Sequence, residues 1–462
     1  MSVWNHPEAA NLCYLGLYAQ QHRGQEGAGI VSKKINEETK KTSFASHKGL
    51  GLVADIFNGF DFDNLKGSAA VGHTRYTTAG GHRLSNVQPF FAEISLGKIA
   101  LCHNGNLVNA DTLKRDLIKD GSIFASTSDT EVILHLLSKT EKDIPLVESI
   151  ISALKLVKGA YSLSIMFEDR LYVVRDPQGL RPLCMGKLND GLVFASETCA
   201  FDLIGAEYIR DVEPGEILEV MPDCKMNSFY PFKLSKPAPC IFEFVYFARP
   251  DSYVFGKNVY PIRKNLGVEL AKESHVDADL VIPVPDSGVP SALGYAHESK
   301  LPFEYGLIRN HYVGRTFIEP EQSIRDFGVK IKLNPNVEIL RGKRIVVVDD
   351  SIVRGTTSRK LVNMLRQAGA KEVHLRISSP KITDPCYYGI DTPEKSQLIA
   401  ANKSEEEIRE YLGVDSLAYL SIEGLYKAAG SEKGNYCDAC FSGDYPIKIN
   451  KKSKVEQVAL FK

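Results

Sequence analysis

Apolar residues recur in two different rhythms along this chain. Up to about residue 230, short apolar runs alternate with turns: Gly27–Val31, Ala69–His73, Ile99–His103, Tyr161–Met166 and Leu171–Val174. Runs of that length bounded by turn residues predict strands. Helical spacing appears over Ala9–Tyr18 and near residues 129–139 and 146–157. Strands in runs with paired helices predict a layered α+β domain. The Pro231–Pro239 stretch, with Pro237 between, reads as a linker. From about residue 260 the order becomes strand, helix, strand, with strands at Leu280–Val284 and Arg344–Val348 and helices near 262–274, 289–297 and 358–369. That rhythm predicts a doubly wound parallel sheet, whose ligands sit beyond the carboxyl ends of its strands. The predicted domains are therefore 1–230 and 231–462, the second ending in a helical stretch at Glu405–Leu412 and a cysteine-containing tail.

Composition narrows the classes. The chain has 462 residues, enough for two cores, and its 44% hydrophobic and 24% charged residues are those of a globular protein. A net charge of −1 without blocks of one sign gives no electrostatic case for nucleic acid or an anionic membrane. No apolar run approaches the ~20 residues of a membrane span. Met1–Pro7 lacks the basic and apolar regions of a signal peptide, so a cytoplasmic location is expected. Nine cysteines, an odd number, argue for reduced thiols, some of them ligands.

The densest chemistry lies in Ile345–Thr357. Four consecutive β-branched residues suit a strand buried on both faces. Asp349 and Asp350 close it, followed by a small-residue loop at a helix start. Backbone N–H groups and the Thr356 and Thr357 hydroxyls would meet a phosphate there, beside carboxylates able to hold sugar hydroxyls or magnesium. A second loop, Pro283–Gly288, lets backbone approach a second anion. Cys437 and Cys440 form a C-x-x-C pair that converges on one ion or cluster, and four thiolates would suit zinc or iron–sulfur equally.

The 345–357 segment resembles the signature of type I phosphoribosyltransferases, which bind phosphoribosyl pyrophosphate (PRPP). Leu17–Glu26, Gly72–Tyr76, His103–Leu107 and Ser128–Glu131 resemble class II glutamine amidotransferases. Together they resemble the amidophosphoribosyltransferase family over nearly the whole chain. The resemblance implies an N-terminal-nucleophile αββα sandwich followed by a phosphoribosyltransferase domain. It implies ammonia released from glutamine that displaces pyrophosphate from PRPP, giving 5-phosphoribosylamine, the first step of purine synthesis. It assigns Arg75 to the glutamine carboxylate, Asp129 to its amine, and Asn104 and Gly105 to the oxyanion hole. Asp349, Asp350, Arg354, Gly355, Thr356, Thr357 and Asp286 fall to PRPP, with Ser287, Asp349 and Asp350 at magnesium. A mobile loop from Arg309 to Lys332, a [4Fe–4S] cluster on Cys240, Cys386, Cys437 and Cys440, a homotetramer and inhibition by purine nucleotides are implied likewise.

One feature of the family is missing. Its nucleophile is an N-terminal cysteine about six residues before the tryptophan matching Trp4, and here only three residues precede Trp4. Ser2 stands four residues too near, a displacement of up to ~13 Å at ~3.3–3.6 Å per extended residue. Cys13, inside a helical pattern, reads as a core residue. The expectation is a start downstream of the family's, with an ammonia-only enzyme or a PRPP-binding regulator as alternatives. As it stands, the polypeptide is expected to use ammonia and scarcely glutamine.

Overall fold

The computed structural model describes residues 1–35, 38–39, 41–76, 83–141, 143–233, 235–310 and 332–449. Its first half contains two antiparallel sheets. The seven-stranded one orders β11 (Glu207–Asp211), β9 (Cys184–Leu188), β10 (Gly191–Ala195), β1 (Ser2–Trp4), β4 (Ala69–Arg75), β2 (Gly27–Ile35) and β3 (Thr42–Leu50). The six-stranded one orders β13 (Met226–Phe229), β12 (Ile217–Val220), β8 (Leu171–Arg175), β7 (Gly159–Met166), β6 (Gly97–Leu107) and β5 (Phe90–Ile94).

Alternate side chains of these strands fill two kinds of layer. Trp4, Val71, Cys102, Val173 and Phe194 pack between the sheets. On the outer face of the larger sheet, Val3, Ile30 and Ala70 meet Cys13 and Leu17 of the helix Ala9–Ala19. On the outer face of the smaller sheet, Leu101, Leu163 and Tyr172 meet the helices Thr130–Ser138 and Leu146–Leu154. The result is an αββα sandwich. A further helix, Ala110–Lys119, was not expected from the sequence, because Leu117 alone of its side chains is buried and its apolar stripe is thin.

The second half is built on four parallel strands in the order Leu280–Pro283, Arg344–Asp349, Glu372–Ile377 and Ser416–Tyr419. Helices Val259–Glu273, Val289–Ser299 and Ile422–Ala428 cover one face, and Thr356–Gln367 and Glu405–Leu412 the other. Glu372–Ile377 escaped the sequence reading, since the buried His374 and Arg376 interrupt its apolar run. Leu307–Arg309 pairs with Leu333–Pro335. Most of the predicted mobile loop, residues 311–331, lies outside the described residues.

The proline-rich stretch packs back onto the sandwich: the Ala238 N–H donates to Gln178 O at 2.7 Å and the Cys240 N–H to Leu180 O at 3.0 Å. It leads into a buried π-helical turn, Glu243–Phe247. There Arg23 donates to Glu243 at 2.8 and 3.0 Å and to Glu197 at 2.5 Å, a buried charge cluster that joins the two halves. Burial opposes the charge on Arg23, but the two carboxylates outweigh it and hold its pKa above the usual range. Among the described residues, no helix is long and apolar enough to cross a membrane.

Candidate functional sites

At the end of β4 and the middle of β6, Arg75, His73, His103, Asn104, Gly105 and Asp129 line one polar pocket. Arg75 is buried and donates to Asn86 O at 2.7 Å. Asp129 sits at the start of its helix but does not cap it. Its Oδ2 instead accepts the Leu107 N–H at 2.9 Å, which turns the carboxylate toward the pocket. Asn104 Nδ2 donates to Ser196 Oγ at 3.3 Å. Gly105 has φ 149°, and a β-carbon there would stand 2.1 Å from Ala160 O, so only glycine fits. A fixed guanidinium, a carboxylate and amide donors in one cavity suit a zwitterionic amino acid with a side-chain carbonyl. His73 is half-buried and neutral, loss of solvation above all lowering its pKa from 6.5 to about 3; its Nε2–H donates to His103 O at 2.9 Å.

Two residues of this pocket come from far along the chain and carried no sequence signal. Phe247 enters from the π-helical turn, with Arg23 4.7 Å above its ring, and Gly389 enters beside Gly105.

An adjoining cavity is lined by Met1, Gly72, His73, Cys102, Asn104 and Ser164 among others. The Met1 amine donates to Gly72 O at 3.1 Å, and the Gly72 N–H to Met1 O at 2.8 Å. Along this ladder Ser2 faces Val71 and Trp4 faces Ala69, so a step back on β1 is a step forward on β4. Ser2 donates to Ser164 Oγ at 2.7 Å between the sheets. Cys102 borders this cavity, but burial pushes its thiol up to about 12. Cys13 is buried in its helix and shifted to the same value by the same cause. Neither is a ready thiolate nucleophile at neutral pH.

In the second half, Asp349 and Asp350 lie where the parallel sheet's strand ends, as the sequence predicted. Ser287, from the loop after the neighbouring strand, donates to Asp350 Oδ2 at 2.5 Å, and Ser351 donates to its Oδ1 at 2.6 Å. Both carboxyls are pushed above the usual range. Burial is the larger cause for each; the neighbouring Asp350 charge adds to the shift at Asp349, and Ser287, Ser351 and Arg263 oppose it at Asp350. Gly355, with φ 74°, turns the chain into the helix Thr356–Gln367, leaving Thr356 and Thr357 exposed at its N-terminus. Arg354 is exposed and donates to Gln397 Oε1 at 2.6 Å. Asp286 pairs with Arg309. A carboxylate pair destabilised by its own charge beside a helix N-terminus fits a dication and a phosphorylated sugar together.

Cys240, Cys386, Cys437 and Cys440 line a single cavity with Leu180, Ile382 and Tyr445 among its other walls. Burial pushes the Cys240 thiol up to about 12 and those of Cys437 and Cys440 well above the ordinary value. Among the described residues, no three His, Cys, Asp or Glu side chains stand close enough to share one ion.

Comparison with known proteins agrees with the two-part layout. A family model described as a glutamine amidotransferase domain matches residues 73–202, and one described as a phosphoribosyl transferase domain matches residues 261–383. The chain is 54% identical over 454 residues to amidophosphoribosyltransferase 1, chloroplastic, of Arabidopsis thaliana, covering 97% of this chain and 78% of that relative. It is 49% identical over 452 residues to the amidophosphoribosyltransferase of Bacillus subtilis, covering 97% and 93%. The solved glutamine PRPP amidotransferase of B. subtilis, complexed with ADP and GMP, superposes with a TM-score of 0.91 at 48% identity, covering 98% of each chain.

Proposed function

The chain belongs to the amidophosphoribosyltransferase family, and from that premise we propose how its own residues divide the family's reaction. It is a transferase that opens purine synthesis, with a glutamine amidotransferase domain ahead of a phosphoribosyltransferase domain. The observation that carries the division of labour is the pair of pockets: amino-acid donors around Arg75 and Asp129, and a dicarboxylate beside a phosphate loop at Asp349–Thr357.

Arg75 takes the glutamine carboxylate and Asp129 its amine, placing the side-chain carbonyl at Asn104 and Gly105. Donors already aimed at that oxygen lose no reorganisation energy as charge develops. In the other half, Asp349 and Asp350 hold the ribose hydroxyls, while the backbone of Arg354–Thr357 and the two threonine hydroxyls hold the 5-phosphate. Ammonia's nitrogen forms a bond to ribose C1, the C1–oxygen bond to pyrophosphate breaks, and the new ammonium loses a proton. Ser287, Asp349 and Asp350 are the residues that would hold magnesium, which when bound neutralises pyrophosphate charge. The placement of both aspartates at the strand end, with Ser287 on Asp350 at 2.5 Å, supports this assignment.

The family's nucleophilic cysteine corresponds to the third residue before Met1. Continued in the register of Ser2–Trp4, that position would face Arg75 across the ladder. Extending the chain by three residues that begin with cysteine should raise glutamine-dependent turnover by at least tenfold and leave ammonia-dependent turnover within about twofold. No gain with glutamine would refute the register.

The four cysteines would hold an iron–sulfur cluster of structural role. The convergence of the four cysteines on one apolar cavity is what supports a shared group there. An anaerobic preparation should be brown and carry about four irons per chain; a colourless, iron-free and fully active one would contradict this. Purine nucleotide inhibition is part of the same reading, supported by the ADP and GMP of the B. subtilis complex. A homotetramer in the cytoplasm is its remaining part, for sedimentation and fractionation to test.

A further inference from the structure

One short segment touches all three places just described. It leaves the cysteine cavity at Cys386, whose N–H donates to Thr392 Oγ1 at 2.6 Å and so folds the segment back on itself. Tyr387 O then accepts Asn106 Nδ2 at 2.9 Å, the neighbour of the oxyanion turn. Gly389, at φ 105°, lies against Gly105: a β-carbon on it would stand 3.0 Å from the Gly105 Cα and carbonyl carbon. Gly105 is thus held between Ala160 on β7 and Gly389, two backbone approaches that side chains would forbid. Farther on, Gln397 accepts from Arg354, and the Ile399 N–H donates to Val353 O at 2.9 Å. The Ile399 side chain closes over Gly355, where a β-carbon would stand 2.9 Å from its Cδ1. The segment's middle is anchored separately: Tyr388 Oη donates to Ile447 O at 2.8 Å and accepts the Ile447 N–H at 3.0 Å.

We propose that Cys386–Ile399 is a positioning strap, in which Tyr387 and Gly389 fix the Asn104–Gly105 turn while Gln397 and Ile399 fix the phosphate loop. Tyr387, Gln397 and Ile399 act through a backbone they hold, and Gly389, which also borders the glutamine pocket, acts by its close approach to Gly105. The strap makes the geometry of the glutamine site depend on a segment of the transferase half, and binds both sites to one anchor. The proposal rests on the glutamine-site reading given above.

Two variants of the full chain test it, with glutamine and PRPP affinities measured separately by calorimetry and the thermal midpoint followed alongside. Gly389→Ala strains a left-handed position and presses on Gly105, so glutamine should bind roughly tenfold more weakly while PRPP affinity stays within about twofold. Thr392→Val keeps the side-chain volume and frees the Cys386 N–H, so it should weaken both ligands by about threefold without a matching fall in midpoint. Unchanged glutamine binding in Gly389→Ala, or unchanged binding of both ligands in Thr392→Val, overturns the strap. Should Gly389→Ala fail to fold, Thr392→Val decides. An unaltered chain that binds no glutamine refutes the glutamine-site reading instead.

Discussion

The two pockets solve opposite electrostatic problems. Around the glutamine site the buried charges are balanced before any ligand arrives: Arg23 answers Glu197 and Glu243, and Asp129 accepts a backbone N–H. At the PRPP site they are not, since Asp349 and Asp350 share one corner and burial raises both. A preformed pocket with paired charges selects by shape and donor placement. A pocket whose carboxylates are disfavoured by burial gains most from a cation beside a phosphate-bearing ligand. The first should therefore fail when a partner is removed, and the second when its negative charge is removed.

Removing Arg23 tests the balanced side most severely. Arg23→Ala removes the cation that two buried carboxylates share, leaving Glu197 to His22 and Glu243 to Arg181, and should destabilise the chain by about 3–5 kcal/mol in denaturant unfolding. A loss under about 1 kcal/mol would mean that Arg181, 2.6 Å from Glu243, already compensates the pair. On the unbalanced side, Asp350→Asn should cut ammonia-dependent pyrophosphate release roughly 10²–10³-fold, the scale of losing one preorganised electrostatic group. Its thermal midpoint should hold or rise, because a charge that burial disfavours has gone. A faster enzyme would place the sugar elsewhere.

Arg75→Ala should weaken glutamine by about 1.5–3 kcal/mol, roughly 10–150-fold, and leave ammonia use alone. Equal loss with both donors would mean that Arg75 supports the fold and not the ligand. The smallest effect is a pH slope. His73 is held neutral, with its pKa lowered to about 3 from 6.5. Between those values the unfolded chain binds the extra proton, so stability falls as pH falls below 6.5, by at most ~1.4 kcal/mol per pH unit. His73→Gln should flatten that slope by up to one proton, read from denaturant midpoints between about pH 4.5 and 6.5. An unchanged slope assigns the acid sensitivity elsewhere.

The parts of the fold legible in the sequence were those whose signals are local. Asp349, Asp350 and the Gly355 turn are contiguous with an unbroken β-branched strand, and the structure sets them together at its end. Arg75 and Asn104 sit in motifs on strands that pack as read. The missed pieces depend on distant contacts or on buried polar groups. Tyr387 meets Asn106 across 281 residues of sequence, and nothing near either one announces it. Glu372–Ile377 carries two buried polar side chains, which broke the periodicity that marks a core strand. Glycine was informative once a neighbour was known: Gly389 is explained by Gly105, and neither by its own surroundings in the chain.

The most direct test of the account is pyrophosphate release from PRPP and magnesium by the 462-residue chain, prepared without oxygen and supplied with ammonia or with glutamine. Turnover with ammonia is expected, lowered roughly 10²–10³-fold by Asp350→Asn and left intact by Arg75→Ala. No release with ammonia from a chain that binds PRPP would contradict it.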